Sequence, residues 1–410
     1  MESLFNETVH VTEQSLFSEN FNDTYPDMDN SFSNGTEHSI RRVFMEIVNI
    51  TVMISNSLIC ITGLFGNCLV IYVVTMFSKM KTVTNTYILN LAIADVLFLV
   101  SIPLLIVTIK NGFWMFGFFM CKFYYLLVSI NSFTGVFTLT VMSADRYLAV
   151  CHPIKSMSLR TPKVAFIITV CIWLISILIM LPALMYSTTV RNAKNRDSCT
   201  MVMPDHLGIS PDKIFIWYNF IFSYAIPVPL ISVFYISVVH KLRTTGPVKK
   251  SSEKKKSQKR VTRMVLTVIG VYIICWLPYW AFQLDIVVFT PPVTEGRILM
   301  FQTFNILTYA NSMLNPLLYN FLSDNFRKSF TKAFKCTSRF EVNRSLRAEN
   351  SIYPKGREAY SQTTVIEKQE LQTINHCATE NKVQEDFANG ETQTEDIDVD
   401  EPEVVVTELE

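Results

Sequence analysis

The sequence predicts an all-α fold, a seven-transmembrane helix bundle with an amphipathic eighth helix. Three observations carry that expectation. Of the 410 residues, 50% are hydrophobic and only 17% charged, whereas soluble domains carry about 25% charged residues. The apolar residues are gathered into seven long segments, with polar sequence at both ends. Basic residues crowd alternate loops, the asymmetry that membrane insertion imposes. The net charge of +1 says little beside that distribution. Nine cysteines show no paired spacing of the zinc-binding kind.

Taken in order, residues 1–45 read as an extracellular tail. Asn6-Glu7-Thr8, Asn22-Asp23-Thr24 and Asn34-Gly35-Thr36 are three glycosylation sequons in one polar stretch. A fourth, Asn49-Ile50-Thr51, lies too close to the first apolar segment to be used. The N-terminus lacks a basic-then-apolar signal pattern, so the first membrane helix directs insertion. The bundle, 46–323, holds apolar segments near 46–77, 83–110, 118–150, 163–186, 213–241, 260–289 and 297–322. Each is at or beyond the ~20 residues that cross a bilayer. Lys79 and Lys81 follow the first segment, and His152, Lys155, Arg160 and Lys163 the third. A basic cluster from Lys241 to Arg263 joins the fifth to the sixth. Basic loops stay cytoplasmic, so the N-terminus is expected outside and the C-terminus inside. Residues 324–336 space Phe326, Phe330 and Phe334 along one helical face, with Arg327, Lys328, Lys332 and Lys335 between them. That pattern predicts a basic amphipathic helix on the inner leaflet, ending at a palmitoylation candidate, Cys336. Residues 337–410 are polar, end acidic and read as a disordered cytoplasmic tail.

Every membrane segment holds a costly or helix-breaking residue. The first has Gly66-Asn67 and the second Asp95, an acid at membrane depth, where such groups mark function. The third ends in Asp145-Arg146-Tyr147, where a buried Arg must pair or reach water. Trp173 follows in the fourth, and Pro227 with Tyr235 in the fifth. The sixth has Cys275-Trp276-Leu277-Pro278, and the seventh Asn315-Pro316-Leu317-Leu318-Tyr319. In this order the motifs resemble the rhodopsin-like G-protein-coupled receptors over about residues 45–336. Val150-Cys151-His152-Pro153-Ile154-Lys155, Arg160-Thr161-Pro162, Val261-Thr262-Arg263-Met264-Val265-Leu266 and the run from Tyr309 to Phe330 resemble somatostatin, opioid and allatostatin-C receptors, neuropeptide receptors of that family.

The resemblance implies roles. Asp95, Asn131, Asn311, Ser312 and Asn315 would hold an allosteric sodium ion, with Asn67 beside them. Gly135 stands where many relatives have Ser. Trp276 would sense ligand and pass strain to the Pro278 kink, seconded by Pro316. Tyr272 stands where the family usually has Phe, and its hydroxyl needs a partner. Asp145, Arg146, Tyr147, Tyr235 and Tyr319 would form the cytoplasmic switch, and Arg146 and Ile154 would meet the G protein. No acid stands near Gln258 to lock Arg146, so the lock is expected from Asp145 and Thr262. Cys121 and Cys199 would form the family disulfide, with Trp114 packed beside it. The other cysteines of the spans read as small apolar fillers.

Val128 replaces the acid that vertebrate somatostatin-type receptors carry there. A pocket of Tyr125, Val128, Ser129, Ser132, Tyr279, Gln283, Gln302, Asn305 and Tyr309 then offers hydrogen bonds and aromatic faces without an ion-pair anchor. Asp285 and Glu295, nearer the mouth, are expected to meet a basic residue of a peptide. The expected protein is a multi-pass plasma-membrane receptor for a neuropeptide, acting through inhibitory heterotrimeric G proteins and regulated by receptor kinases and arrestin. Receptors for a biogenic amine or a chemokine-like protein are the alternatives. No nucleic acid is expected as partner. No enzyme is expected: His152, His206 and His240 lie far apart in the topology. A retinal pigment would need Lys at Tyr309, and the inverted repeats of a transporter are not seen.

Overall fold

The computed structural model describes residues 34–192, 195–204, 211–244, 252–292 and 294–333. Asn6, Asn22, Cys336, His206 and the tail from 337 lie outside the described residues. The bundle falls in one compact unit, Met1–Thr331. Of a second unit, Lys332–Glu410, only residues 332 and 333 are described.

Helix α1 is Asn34–Met76. It starts well before the expected boundary at 45, so Asn34 opens a helix instead of lying in an unstructured tail. No proline interrupts the stretch, and Arg41 near its start pairs with Glu295. The second span is broken into α2 (Val83–Leu99) and α3 (Ile102–Asn111). Pro103 lacks the N–H that a continuous helix would need, so it sits in the first turn of α3. Gly112 ends α3 at φ 72°, a left-handed cap that a Cβ would strain. Next come α4 (Gly117–Cys151), α5 (Pro153–Leu159) and α6 (Pro162–Tyr186).

A feature absent from the all-α expectation follows. Strands β1 (Ser187–Arg191) and β2 (Asp197–Met201) pair antiparallel with Thr189 opposite Cys199. The period-2 signal was too short to read between two membrane spans. The fifth span comprises α7 (Pro211–Phe220), a π turn at Ile221–Ala225, and α8 (Pro227–Thr244). Helices α9 (Ser252–Phe289) and α10 (Glu295–Leu322) complete the seven, and α11 covers 324–333.

Six of the seven spans are long and apolar enough to cross a membrane by length and composition alone. The seventh, α10, has 28 residues, about 42 Å at 1.5 Å per residue. Its hydropathy is lowered by Gln302, Asn305, Asn311, Ser312 and Asn315, all buried. That polar face turns into the bundle, which is why composition alone underrates it. The apolar face of α11 also differs from expectation. Phe326 is 1% exposed and packs on Tyr319 of α10 at 5.5 Å, so this face meets protein instead of lipid; Phe334 lies outside the described residues.

Side-chain links also tie the bundle together where backbone bonds cannot. Trp173 of α6 donates to the Asn90 carbonyl oxygen at 2.6 Å, and the Asn90 amide donates to Thr138 of α4 at 2.7 Å. Each of these buried groups would cost about 1–3 kcal/mol if left unpaired. Lys122 of α4 donates to the carbonyls of Leu184 (2.7 Å) and Ser187 (2.8 Å), a cation at the negative end of α6. A Cβ on Gly66 would lie 3.0 Å from the Pro316 ring. Glycine there lets α1 approach the kinked part of α10.

Candidate functional site

A cavity opens at the end of the bundle that carries the hairpin. It measures about 1010 Å³ with its open mouth included. Tyr125, Val128, Ser129 and Ser132 line it from α4, and Trp276, Tyr279, Trp280 and Gln283 from α9. Both sets follow the i, i+3, i+4, i+7 spacing of one helical face. Phe215, Ile216 and Asn219 come from α7, Asn305 and Thr308 from α10, and Phe98 from α2. Met201 of β2 and Met203 reach over from the hairpin side. Among the described residues that line it, no side chain is charged.

Of the expected pocket residues, Gln302 and Tyr309 do not line the cavity. Tyr309 stacks flat on Phe98 at 4.8 Å, behind the wall, and Gln302 is 3% exposed. Sequence reasoning missed Phe98, Trp280, Thr308, the α7 residues and the hairpin methionines. Trp280 could have been found from its position one turn after Trp276; the methionines could not, because nothing local marks a strand that folds over a distant cleft. The rim acids are also not free. Asp285 pairs with Arg297, whose guanidinium lies 5.1 Å from the Phe282 ring centre, and Glu295 pairs with Arg41.

The hairpin is held over this end by a disulfide between Cys121, at the start of α4, and Cys199 of β2, Cα to Cα 5.5 Å. Both residues are fully buried. Trp114 sits in the same apolar cluster; its backbone N–H donates to the Asp197 carbonyl at 2.7 Å and its indole to Gly117 at 2.9 Å.

At mid-depth Asp95 accepts from the Asn315 amide at 2.8 Å, and the Ser312 hydroxyl lies beside it. The amide oxygens of Asn131, Asn311 and Asn315 are buried without a hydrogen-bond partner among the described residues. The Asn67 amide donates to the Gly63 and Ser312 carbonyls at 2.9 and 3.0 Å, while its oxygen is likewise buried without a hydrogen-bond partner among the described residues. At Gly135 a Cβ would meet Leu91 at 3.8 Å and the Asn131 oxygen at 3.9 Å, so this face of α4 meets α2 one turn from Asp95. One carboxylate among neutral oxygens fits a hard cation such as sodium.

At the opposite end Asp145 is held by two arginines. Arg146 donates from Nε at 3.0 Å, and Arg160 from Nε at 2.6 Å and Nη2 at 3.3 Å. The second guanidinium nitrogen of Arg146 bonds Asp145 and Thr84 of α2. Thr84, not the expected Thr262, is therefore the hydroxyl partner, because the Arg146 side chain turns toward α2. The buried Tyr319 hydroxyl and that of Tyr235 have no hydrogen-bond partner among the described residues. Tyr147 bonds the His152 ring at 3.1 Å. Ile154 on α5 is 86% exposed.

The family described as "7 transmembrane receptor (rhodopsin family)" matches residues 66–319. The chain belongs to this family. The receptor is 46% identical to somatostatin receptor type 2 of Mus musculus over 272 residues, 66% of this chain and 73% of the relative. To somatostatin receptor type 5 of Rattus norvegicus it is 42% identical over 278 residues, covering 67% and 75%. To somatostatin receptor type 1 of the same animal it is 39% identical over 281 residues, covering 67% and 69%. It is thus a G-protein-coupled receptor resembling the somatostatin receptors, a multi-pass plasma-membrane protein and not an enzyme.

Proposed function

We propose that the receptor takes a neuropeptide into the cavity from outside the cell and activates heterotrimeric G proteins of the inhibitory class. The observation that carries the peptide reading is the cavity: large, open, aromatic and without a charged side chain among its described lining residues, with amides and hydroxyls at helical spacing. Backbone amides and apolar side chains suit such walls, whereas an amine would leave its cation unpaired at a cost of several kcal/mol. The relatives are named for somatostatin. The basic loops support an outside hairpin and N-terminus and an inside Arg146 and C-terminus.

Activation on this reading begins at Trp276, on the cavity wall two residues before Pro278. Ligand contact there tilts α9 about the proline and swings its inner end outward. Arg146 then leaves Asp145 and Thr84 for the G protein, passing Tyr235 and Tyr319, whose hydroxyls can receive it. Arg160 stays on Asp145 and keeps that buried carboxylate paired. Ile154 offers an apolar anchor to the G protein.

The experiment is expression with a promiscuous G-protein reporter against a neuropeptide library and a panel of amines, followed by cAMP with and without pertussis toxin. The expected result is a peptide hit whose cAMP inhibition the toxin removes. A response to amines alone would overturn the ligand class, and signalling that survives the toxin the G-protein class.

Asp95, Asn131, Asn311, Ser312 and Asn315 would hold sodium, which supplies positive charge beside a buried carboxylate and favours the resting arrangement. Asp95→Asn is expected to make agonist affinity independent of sodium concentration; a persisting dependence would remove the site. Receptor kinases and arrestin are proposed to act on the tail at Ser361, Thr363, Thr364, Thr373, Thr392 and Thr394. Each phosphate adds about −1.5 to −2 charge for arrestin's basic groups. Truncation after Cys336 is expected to stop agonist-driven internalisation, and normal uptake would exclude the tail.

A further inference from the structure

The fifth span contains a built-in defect. At Ile221–Ala225 the helix widens to a π turn, with the Ile226 N–H donating to the Ile221 carbonyl at 3.0 Å. The next helix begins at Pro227, which has no N–H to give. The carbonyl that would have met that donor at i+4 is the one of Ser223, a fully buried residue. A donor arrives from another helix instead. The Tyr272 hydroxyl of α9 donates to the Ser223 carbonyl at 2.9 Å. Tyr272 is 3% exposed, and its ring lies 5.8 Å from that of Trp276 on the cavity wall. One hydrogen bond therefore joins the ligand-facing part of α9 to a helix defect of the kind often found at functional sites.

We propose that this bond is a latch. It holds α9 against the π turn in the resting receptor and parts when α9 swings, so Tyr272 is a positioning residue that sets the resting-to-active balance. The inference rests on the swing of α9 proposed above. Tyr272→Phe keeps the ring and removes only the hydroxyl. The Ser223 carbonyl is then buried without that donor in the resting arrangement alone, which raises the active fraction. A net buried hydrogen bond corresponds to a factor of about two to ten in such an equilibrium.

A matched control exists in the same bundle. Tyr218 of α7 donates its hydroxyl to the Ile179 carbonyl of α6 at 2.6 Å, a bond of the same chemistry that does not involve α9. The test places spin labels at Lys155→Cys on α5 and Arg263→Cys on α9, both exposed positions, with Cys68, Cys151, Cys171, Cys336 and Cys377 replaced by Ser. Distances are measured in ligand-free receptor. Tyr272→Phe is expected to raise the long-distance fraction about two- to tenfold, with Tyr218→Phe at the parent level. An unchanged distribution in Tyr272→Phe, or an equal rise in Tyr218→Phe, overturns the latch. Nucleotide exchange on purified inhibitory G protein runs in parallel: a rise in distance without exchange upholds the latch and removes the G-protein reading.

Discussion

Cys121→Ser is expected to abolish ligand binding and to strip most of the receptor from the cell surface. The bond closes a loop of sequence separation 78, for which chain entropy gives about 4–5 kcal/mol. Both sulfurs are fully buried among Trp114, Tyr124 and Met201, so losing the bond also loosens an apolar cluster. The hairpin would keep only hydrogen bonds, such as Val202 to Tyr186 at 3.0 Å, Trp114 to Asp197 at 2.7 Å and Lys122 to Ser187 at 2.8 Å, and Met201 and Met203 would be held less firmly at the cavity mouth. Surface labelling and saturation binding of the peptide found by the screen check this. Cys199→Ser and the double variant should match the single one, since each removes the same bond. Near-normal binding in Cys121→Ser would mean the hairpin is positioned by its backbone bonds alone.

Val128→Asp is expected to lower peptide potency by about 100- to 1000-fold, the equivalent of the several kcal/mol needed to bury an unpaired carboxylate. No cation stands among the described lining residues to pair it, and the rim arginines Arg41 and Arg297 already hold Glu295 and Asp285. Val128→Leu, which changes volume but not charge, should stay within about tenfold. Surface expression is measured beside the dose response so that lost potency is not lost receptor. Undiminished potency of the Asp variant would show that the ligand brings its own cation to this wall, contrary to a charge-free contact.

Much of this receptor was legible before any coordinates. Helices in a bilayer must satisfy their backbones internally, so length and apolar composition place spans directly, and the loop charges give the expected orientation. Asp95 and Arg146 were visible because charge at membrane depth is costly without a use, and Trp276 because Cys275-Trp276-Leu277-Pro278 resembles the family's motif. Tyr125, Val128, Ser129 and Ser132 were expected around the position where the resembled receptors carry an acid, and the structure puts all four on one wall of the cavity. Legibility failed where the partner lies far along the chain. Thr84 stands 62 residues from Arg146 and Ser223 stands 49 from Tyr272. Nothing local distinguishes these residues from their neighbours.

By itself the sequence determined the class, the spans and the motifs, because hydropathy and helix-breaking are properties of a segment and its solvent. Only the tertiary structure decided which polar groups meet. It turned Arg146 toward Thr84, committed the rim acids to Arg41 and Arg297, hid Tyr309 behind Phe98 and gave the Tyr272 hydroxyl its carbonyl. A buried donor is satisfied by whichever acceptor the packing of helices brings within about 3 Å, and that proximity is written in no single stretch of the chain.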